Sequence, residues 1–193
     1  MDIGRKRDLT VFWLWEKVGD VFWTRMVHEM RNAPFRVQRD FLSSLMDGSF
    51  FTPPIPPLPR GGSGGVVIRR CCIDSTGIGA QLAEEAVEKF GSRAEAVLFT
   101  GKVKEDLAVT FRRRFEDRQV RLPIDREIRE DIHSVKKFTT SAGNIRFDAE
   151  RTEQGHADRF WAAAMGLHAA EAAIASVSYE PLLKRGFGRE TRW

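Results

Sequence analysis

Residues 66–91 read VVIRRCCIDSTGIGAQLAEEAVEKFG, and the change of period inside this stretch decides the fold. Val66 to Ile73 is an apolar, β-branched run interrupted only by Arg69 and Arg70, the composition of a strand buried in the middle of a sheet. Asp74 stands where that strand ends. Ser75 or Thr76 offers a helix cap, and Ile78, Leu82, Ala86 and Phe90 recur at four-residue spacing before Gly91 stops the helix. A buried strand feeding a helix, with a carboxylate at the junction, is a unit of an α/β sheet, in which sites gather at strand ends.

Upstream the pattern is different. Ile3, Val11, Trp13 and Trp15 sit in strand-like positions on either side of a polar turn at residues 4–8, so two strands joined by a hairpin are expected. Residues 21–30 alternate again and predict a third strand, and Val37, Phe41, Leu42 and Leu45 then make a helical stripe. Residues 49–65, SFFTPPIPPLPRGGSGG, combine prolines that favour extended backbone with glycines that permit almost any, and are expected to be a long loop within one domain.

Downstream, residues 94–100 predict a strand, and Val103, Leu107, Phe111 and Phe115 a second amphipathic helix. A short strand at 120–122 leads to Pro123, and Asp125 caps a helix through Ile128, Ile132 and Val135. Ser141, Ala142, Gly143 and Asn144 inside residues 138–147 are hairpin chemistry. The last helix runs from about Ala157 to Ser176, rich in alanine, with Phe160, Ala163, Leu167, Ala170 and Ile174 on one face; small residues let a helix lie close to a sheet. Residues 179–193 are a short basic tail. The sum is a mixed sheet, three antiparallel strands followed by alternating strands and helices, with helices on its faces.

Composition narrows the function. The 193 residues fit a single domain, and their net charge of +4 permits a nucleic-acid partner without demanding one. The only cysteines, Cys71 and Cys72, are adjacent, a spacing unsuited to an ordinary disulfide and too sparse for a zinc site, so they read as small strand residues of a protein from a reducing compartment. No run approaches the roughly 20 apolar residues that span a bilayer, and no signal-type core follows the charged N-terminus. The expectation is a soluble, unsecreted protein without a membrane partner.

Three aspartates lie at element boundaries: Asp2 in the first strand, Asp74 at the end of the central strand and Asp158 in the first turn of the last helix. Converging carboxylates repel and are costly to bury unless a cation neutralises them, and an all-oxygen donor set selects Mg²⁺ or Mn²⁺. Two such ions about 4 Å apart activate a water and stabilise the leaving oxygen of a phosphodiester. Spacing alone does not establish this. With 27 acidic residues some fall at strand ends, and Asp158 also suits a helix N-terminus on charge grounds.

The strings MDIGRKRDLTVFW (1–13), CCIDSTGIGAQLAEEA (71–86), LFTGKVKEDLA (98–108), LPIDREIREDI (122–132) and GHADRFWAAAMGLHAA (155–170) resemble, in the same order, segments of the nuclease domain of phage large terminase subunits, particularly the Mu-like type. The resemblance implies a ribonuclease H-like fold and a metal-dependent endonuclease that cuts double-stranded viral DNA during genome packaging, in the cytoplasm of the bacterial host. It implies that Asp2, Asp74 and Asp158 are the catalytic, metal-holding residues. It implies as partners DNA, an ATPase motor domain, the small terminase subunit and the portal. A full large subunit begins with an ATPase motor, whereas no G-x-x-x-x-G-K-[ST] phosphate loop occurs here, so the chain is expected to be an excised domain or a truncated remnant. Two other readings remain. One is a different ribonuclease H-like nuclease, such as a resolvase or transposase core; the other is a catalytically silent remnant that docks DNA or packaging proteins.

Around this core of residues, His156 is an accessory candidate, two positions before Asp158, and Lys102 and Lys104, following a strand end, are candidate phosphate contacts. Arg112, Arg113 and Arg114 read as a solvated helix face, and Trp13, Trp15 and Trp23 as core. Asp8 and Asp148 are spare carboxylates explained by a turn and a hairpin edge, and His28, His133 and His168 receive no role.

Overall fold

The computed structural model describes residues 1–4, 9–51, 66–139, 143, 145–149 and 157–172. Strand β1 (Leu9–Val18) and strand β2 (Val21–Arg31) form an antiparallel hairpin, turned by Gly19 at φ +60°, a left-handed conformation that costs glycine nothing. Helix α1 (Phe35–Met46) follows. Strand β3 (Cys71–Asp74) then leads into helix α2 (Ala80–Phe90), strand β4 (Ala94–Val97) and helix α3 (Gly101–Glu116). Strand β5 (Val120–Arg121), helix α4 (Arg126–Ser134), the antiparallel hairpin of β6 (Lys136–Thr139) and β7 (Ile145–Asp148), and helix α5 (Asp158–Ala172) complete the order.

Residues 1–3 join what would otherwise be two separate sheets. Asp2 exchanges backbone hydrogen bonds with Val11 at 3.0 Å each, while Met1 turns its backbone to the other side, its amino group donating to Cys72 O at 2.7 Å and its carbonyl accepting from Asp74 N–H at 3.1 Å. The pairing therefore runs β5, β2, β1, residues 1–3, β3, β4, with β3 and β4 parallel and β5 parallel to β2.

Alternation along the strands sends side chains to two cores. Val11, Trp13 and Cys72 join one with Phe111 of α3, Ile128 of α4 and Phe160, Trp161 and Leu167 of α5. Phe12 and Ile73, their neighbours in sequence, join the other with Leu42 and Leu45 of α1 and Leu82 and Ala86 of α2. Helices thus cover both faces, the mixed α/β arrangement expected. The small residues of α5 serve close approach: Ala162, Ala163 and Ala164 are buried, and a methyl group on Gly166 would meet the Trp15 ring at 2.6 Å.

Several local expectations need correction. The strand expected over 66–73 begins at Cys71, because an apolar run is not a strand without a partner, and β4 covers only Ala94–Val97. Neither Ser75 nor Thr76 caps α2. The chain passes through a short 3₁₀ turn, Gly77–Gly79, and the helix starts with no side-chain cap. Asp125 does cap α4, accepting from Ile128 N–H at 2.9 Å. Trp23 is 40% exposed, so only Trp13 is buried and Trp15 half-buried among the three tryptophans assigned to the core. Arg114 is no free surface charge; it reaches across to Glu171 at 2.7 Å. The expected loop and tail at 52–65 and 179–193, the turn residues 5–8, the tip residues Ser141, Ala142 and Asn144, and the helix beyond Ala172 lie outside the described residues.

Candidate active site

Asp74 is the last residue of β3, and the turn behind it is built around its backbone. Ser75 N–H donates to Val97 O at 2.9 Å, prolonging the parallel pairing, and Thr76 N–H donates to Asp74 Oδ1 at 2.8 Å. Gly79 packs against the Asp74 carbonyl so closely that a Cβ would collide with that oxygen, and it would also come within 3.1 Å of Ile3. Only glycine lets the chain fold back this tightly. The Asp74 side chain is buried, at 8% exposure.

Asp2 is held by the strand pairing of residues 1–3 and accepts from its neighbour Ile3 N–H at 3.0 Å. Asp158 opens α5. The residue before it, Ala157, adopts φ +58°, a left-handed conformation that is unfavourable for alanine and is paid back by tertiary packing. Asp158 Oδ2 accepts the backbone N–H of Leu9 at 2.7 Å, joining the helix to the start of β1.

The charges of Asp74 and Asp158 reach the Asp2 carboxyl. Burial raises the pKa of Asp2 well above the usual carboxylate range, and the negative charges of Asp158 and Asp74 push it further in the same direction, against a smaller pull from the N-terminal ammonium. All three side chains are buried, so these charges act on one another with little solvent screening. Their oxygens are nonetheless not the tightest ligand group. Among the described residues, the one set of three possible ligands whose donor atoms all lie within 4.8 Å is Cys72, Glu95 and His168. The donor chemistry of the aspartates, three buried carboxylates and nothing softer, fits a hard divalent cation.

The other candidates separate. Lys102 is exposed and pairs with Asp106 at 2.9 Å. Lys104 is largely covered, 3.6 Å from Asp148 Oδ1, with its ammonium 4.9 Å over the Trp161 ring. His156 and Asp8 lie outside the described residues. Asp148 is buried at the end of β7, where Arg146 also reaches it.

Two clusters escaped sequence reasoning. Arg159, beside Asp158 and only 5% exposed along its side chain, donates to Glu29 at 2.6 and 2.8 Å, contacts Glu127 and lies 3.5 Å from Asp131, whose carboxylate accepts Arg159 N–H at 3.1 Å. It ties α5 to β2 and α4. The second is the Cys72 group, in which Glu95 and His168 stand beside a cysteine that the sequence left without metal-type partners. The signal that sequence offered was only that Glu95 stands in the strand after Cys72.

Comparison with known proteins supports the fold. The family model of the terminase RNaseH-like domain matches residues 61–170. Among solved structures, the large terminase nuclease from thermophilic phage G20c superposes with a TM-score of 0.65 at 21% identity, over 86% of this chain and 78% of that one. The same nuclease with bound magnesium gives a TM-score of 0.59 at 21% identity, over 86% and 77%. The large terminase nuclease domain of Thermus phage P74-26 gives 0.52 at 17% identity, over 86% and 83%. No curated protein matches the chain.

Proposed function

We propose, from the premise that the chain belongs to the terminase RNaseH-like domain family, that it is a divalent-metal-dependent endonuclease that cuts double-stranded DNA during genome packaging, with Asp2, Asp74 and Asp158 as its metal-holding catalytic residues. The observation that carries the reading is the effect of Asp158 and Asp74 on buried Asp2: three carboxylates from the first strand, the central strand and the last helix share one water-poor corner. Relatives crystallised with bound magnesium and bound cobalt support a divalent ion.

Within this reading the chain's own groups do the positioning. Asp74 is fixed by the Thr76 N–H, Asp158 by the Leu9 N–H and Asp2 by Ile3 N–H, so each carboxylate is oriented by a backbone donor. Asp2, Asp74 and Asp158 would hold a pair of Mg²⁺ or Mn²⁺ ions, which would supply the charge to activate a water and to stabilise the leaving oxygen of a phosphodiester. Burial of the three aspartates keeps competing water out and strengthens their hold on a cation. Lys102, the more exposed of the two lysines opening α3, is the candidate contact to backbone phosphates. The partners that follow are DNA, a packaging ATPase motor, a small terminase subunit and a portal, and the setting is the host cytoplasm.

The decisive assay is cleavage of supercoiled plasmid with Mn²⁺, Mg²⁺ or EDTA, beside Asp74→Ala. Cutting that needs the metal and disappears in the variant supports the nuclease. A folded wild-type protein that cuts with neither metal would refute it, and DNA binding indifferent to metal would then identify a docking module.

A further inference from the structure

We propose that Cys72, Glu95 and His168 form a second cation site, distinct from the aspartates and suited to zinc. Cys72 and Glu95 are register partners in the parallel pair β3 and β4, so their side chains emerge side by side, and α5 lays His168 across them. Cys72 Sγ is 3.5 Å from Glu95 Oε2, and His168 Nε2 is 3.8 Å from Glu95 Oε1, with all three donor atoms inside 4.8 Å.

Two of these separations, one to each oxygen of Glu95, match neighbouring ligands of one ion, and the third pair lies inside 4.8 Å. Tetrahedral bonds of about 2.0 to 2.3 Å place neighbouring ligand atoms about 3.3 to 3.8 Å apart. A set made of one sulfur, one imidazole nitrogen and one carboxylate oxygen is of the borderline-soft kind that selects zinc over magnesium, the reverse of the all-oxygen aspartate corner. Arg70 also reaches Glu95 Oε2, so the carboxylate is oriented by a fixed cation from outside the set, as bound ligands commonly are. Cys72 is buried, whereas Glu95 and His168 are half-exposed, which leaves the cluster open to solvent on one side.

The location gives the site a consequence. Cys72 precedes Asp74 by two residues on β3, and His168 lies on the helix that Asp158 begins. An ion at the cluster clips β3, β4 and α5 together and thereby holds two of the three aspartate-bearing elements in register.

Cobalt is the probe, because its absorption reports its donors. Purified protein is titrated with Co²⁺ as wild type and as Cys72→Ser, His168→Ala and Asp74→Asn, with folding followed by circular dichroism. The expected result is a near-ultraviolet thiolate-to-cobalt band and intense four-coordinate visible bands in wild type and Asp74→Asn, discharged by one equivalent of Zn²⁺ and lost in both cluster variants. His168 is half-exposed, so its truncation keeps the fold even where Cys72→Ser does not. Absence of the thiolate band in wild type overturns the site. So does its survival in His168→Ala, which assigns the sulfur to another arrangement, or its loss in Asp74→Asn, which makes the sulfur part of the aspartate corner.

Discussion

The backbone N–H of Leu9 donates to Asp158 Oδ2 at 2.7 Å, a bond between the first residue of β1 and the first residue of α5 across 149 positions of sequence. Leu9 is buried, so its N–H has no solvent to fall back on. One carboxylate is therefore both an architectural acceptor and a member of the acidic corner.

The two roles separate by substitution. Asp158→Asn keeps a carbonyl oxygen for Leu9 and should fold normally, yet lower metal-dependent cleavage by at least about 100-fold, since even outer-shell changes around a metal cost about 10- to 100-fold. Asp158→Ala removes the acceptor as well and should cost a further 1 to 3 kcal/mol or so of stability through the stranded N–H. Plasmid cleavage and urea unfolding of the pair check this; equal unfolding midpoints would show that the Leu9 bond contributes nothing.

Asp2 predicts a pH dependence. Its folded pKa is raised above the ordinary value of 3.8, so the folded state holds the proton more tightly than the unfolded chain. The contribution is fully present below pH 3.8 and is lost as pH rises through the folded value. In EDTA, Asp2→Asn should gain stability relative to wild type as pH climbs from about 4, because the amide never ionises. Melting curves across that range decide it, and parallel curves would count against the shared corner.

Gly79→Ala should destabilise the domain by about 1 to 3 kcal/mol, the usual cost of forcing a methyl group into filled space. The obstacle is backbone, the Asp74 carbonyl, and cannot swing aside. Denaturant unfolding tests the cost. Because the displaced atom belongs to Asp74, cleavage should fall with stability, and an unaltered midpoint would mean that the turn relaxes freely.

Arg159→Met should cost about 3 kcal/mol, the low end for breaking a buried ion pair. It strands Asp131 and Glu29, both partly covered, while Glu127 is exposed enough to be solvated. Asp131 already has a raised pKa, from burial first, with Arg159 pulling the other way. Thermal unfolding at neutral pH measures the loss; a midpoint within a degree of wild type would show that the cluster is dispensable.

What could be read in advance was local. Asp125 followed three residues later by Ile128 marks a cap, the stripe ending in Phe111 marks a helix, and Asp74 stands between a strand and a helix because both periods are written next to it. Strand length was not readable from residues 66–70, where apolar side chains occur without a pairing partner. The Arg159 cluster draws on residues 29, 127 and 131, and the Cys72 cluster on 95 and 168; no spacing rule links such positions, since β pairing and helix packing alone bring them together. Spacing did not link Asp2, Asp74 and Asp158 either; the family resemblance did.

The stitch formed by residues 1–3 also governs the order in which the molecule can come into being. The β1 and β2 hairpin can close as soon as it leaves the ribosome, but Met1 must wait for Cys72 and Asp74, some 70 residues later, and Leu9 for Asp158. Contacts so distant along the chain are slow to find and form late. A nascent polypeptide that has not reached Asp158 therefore carries Asp2 and Asp74 without the third carboxylate, and any chemistry of the acidic corner waits for the last helix to be made.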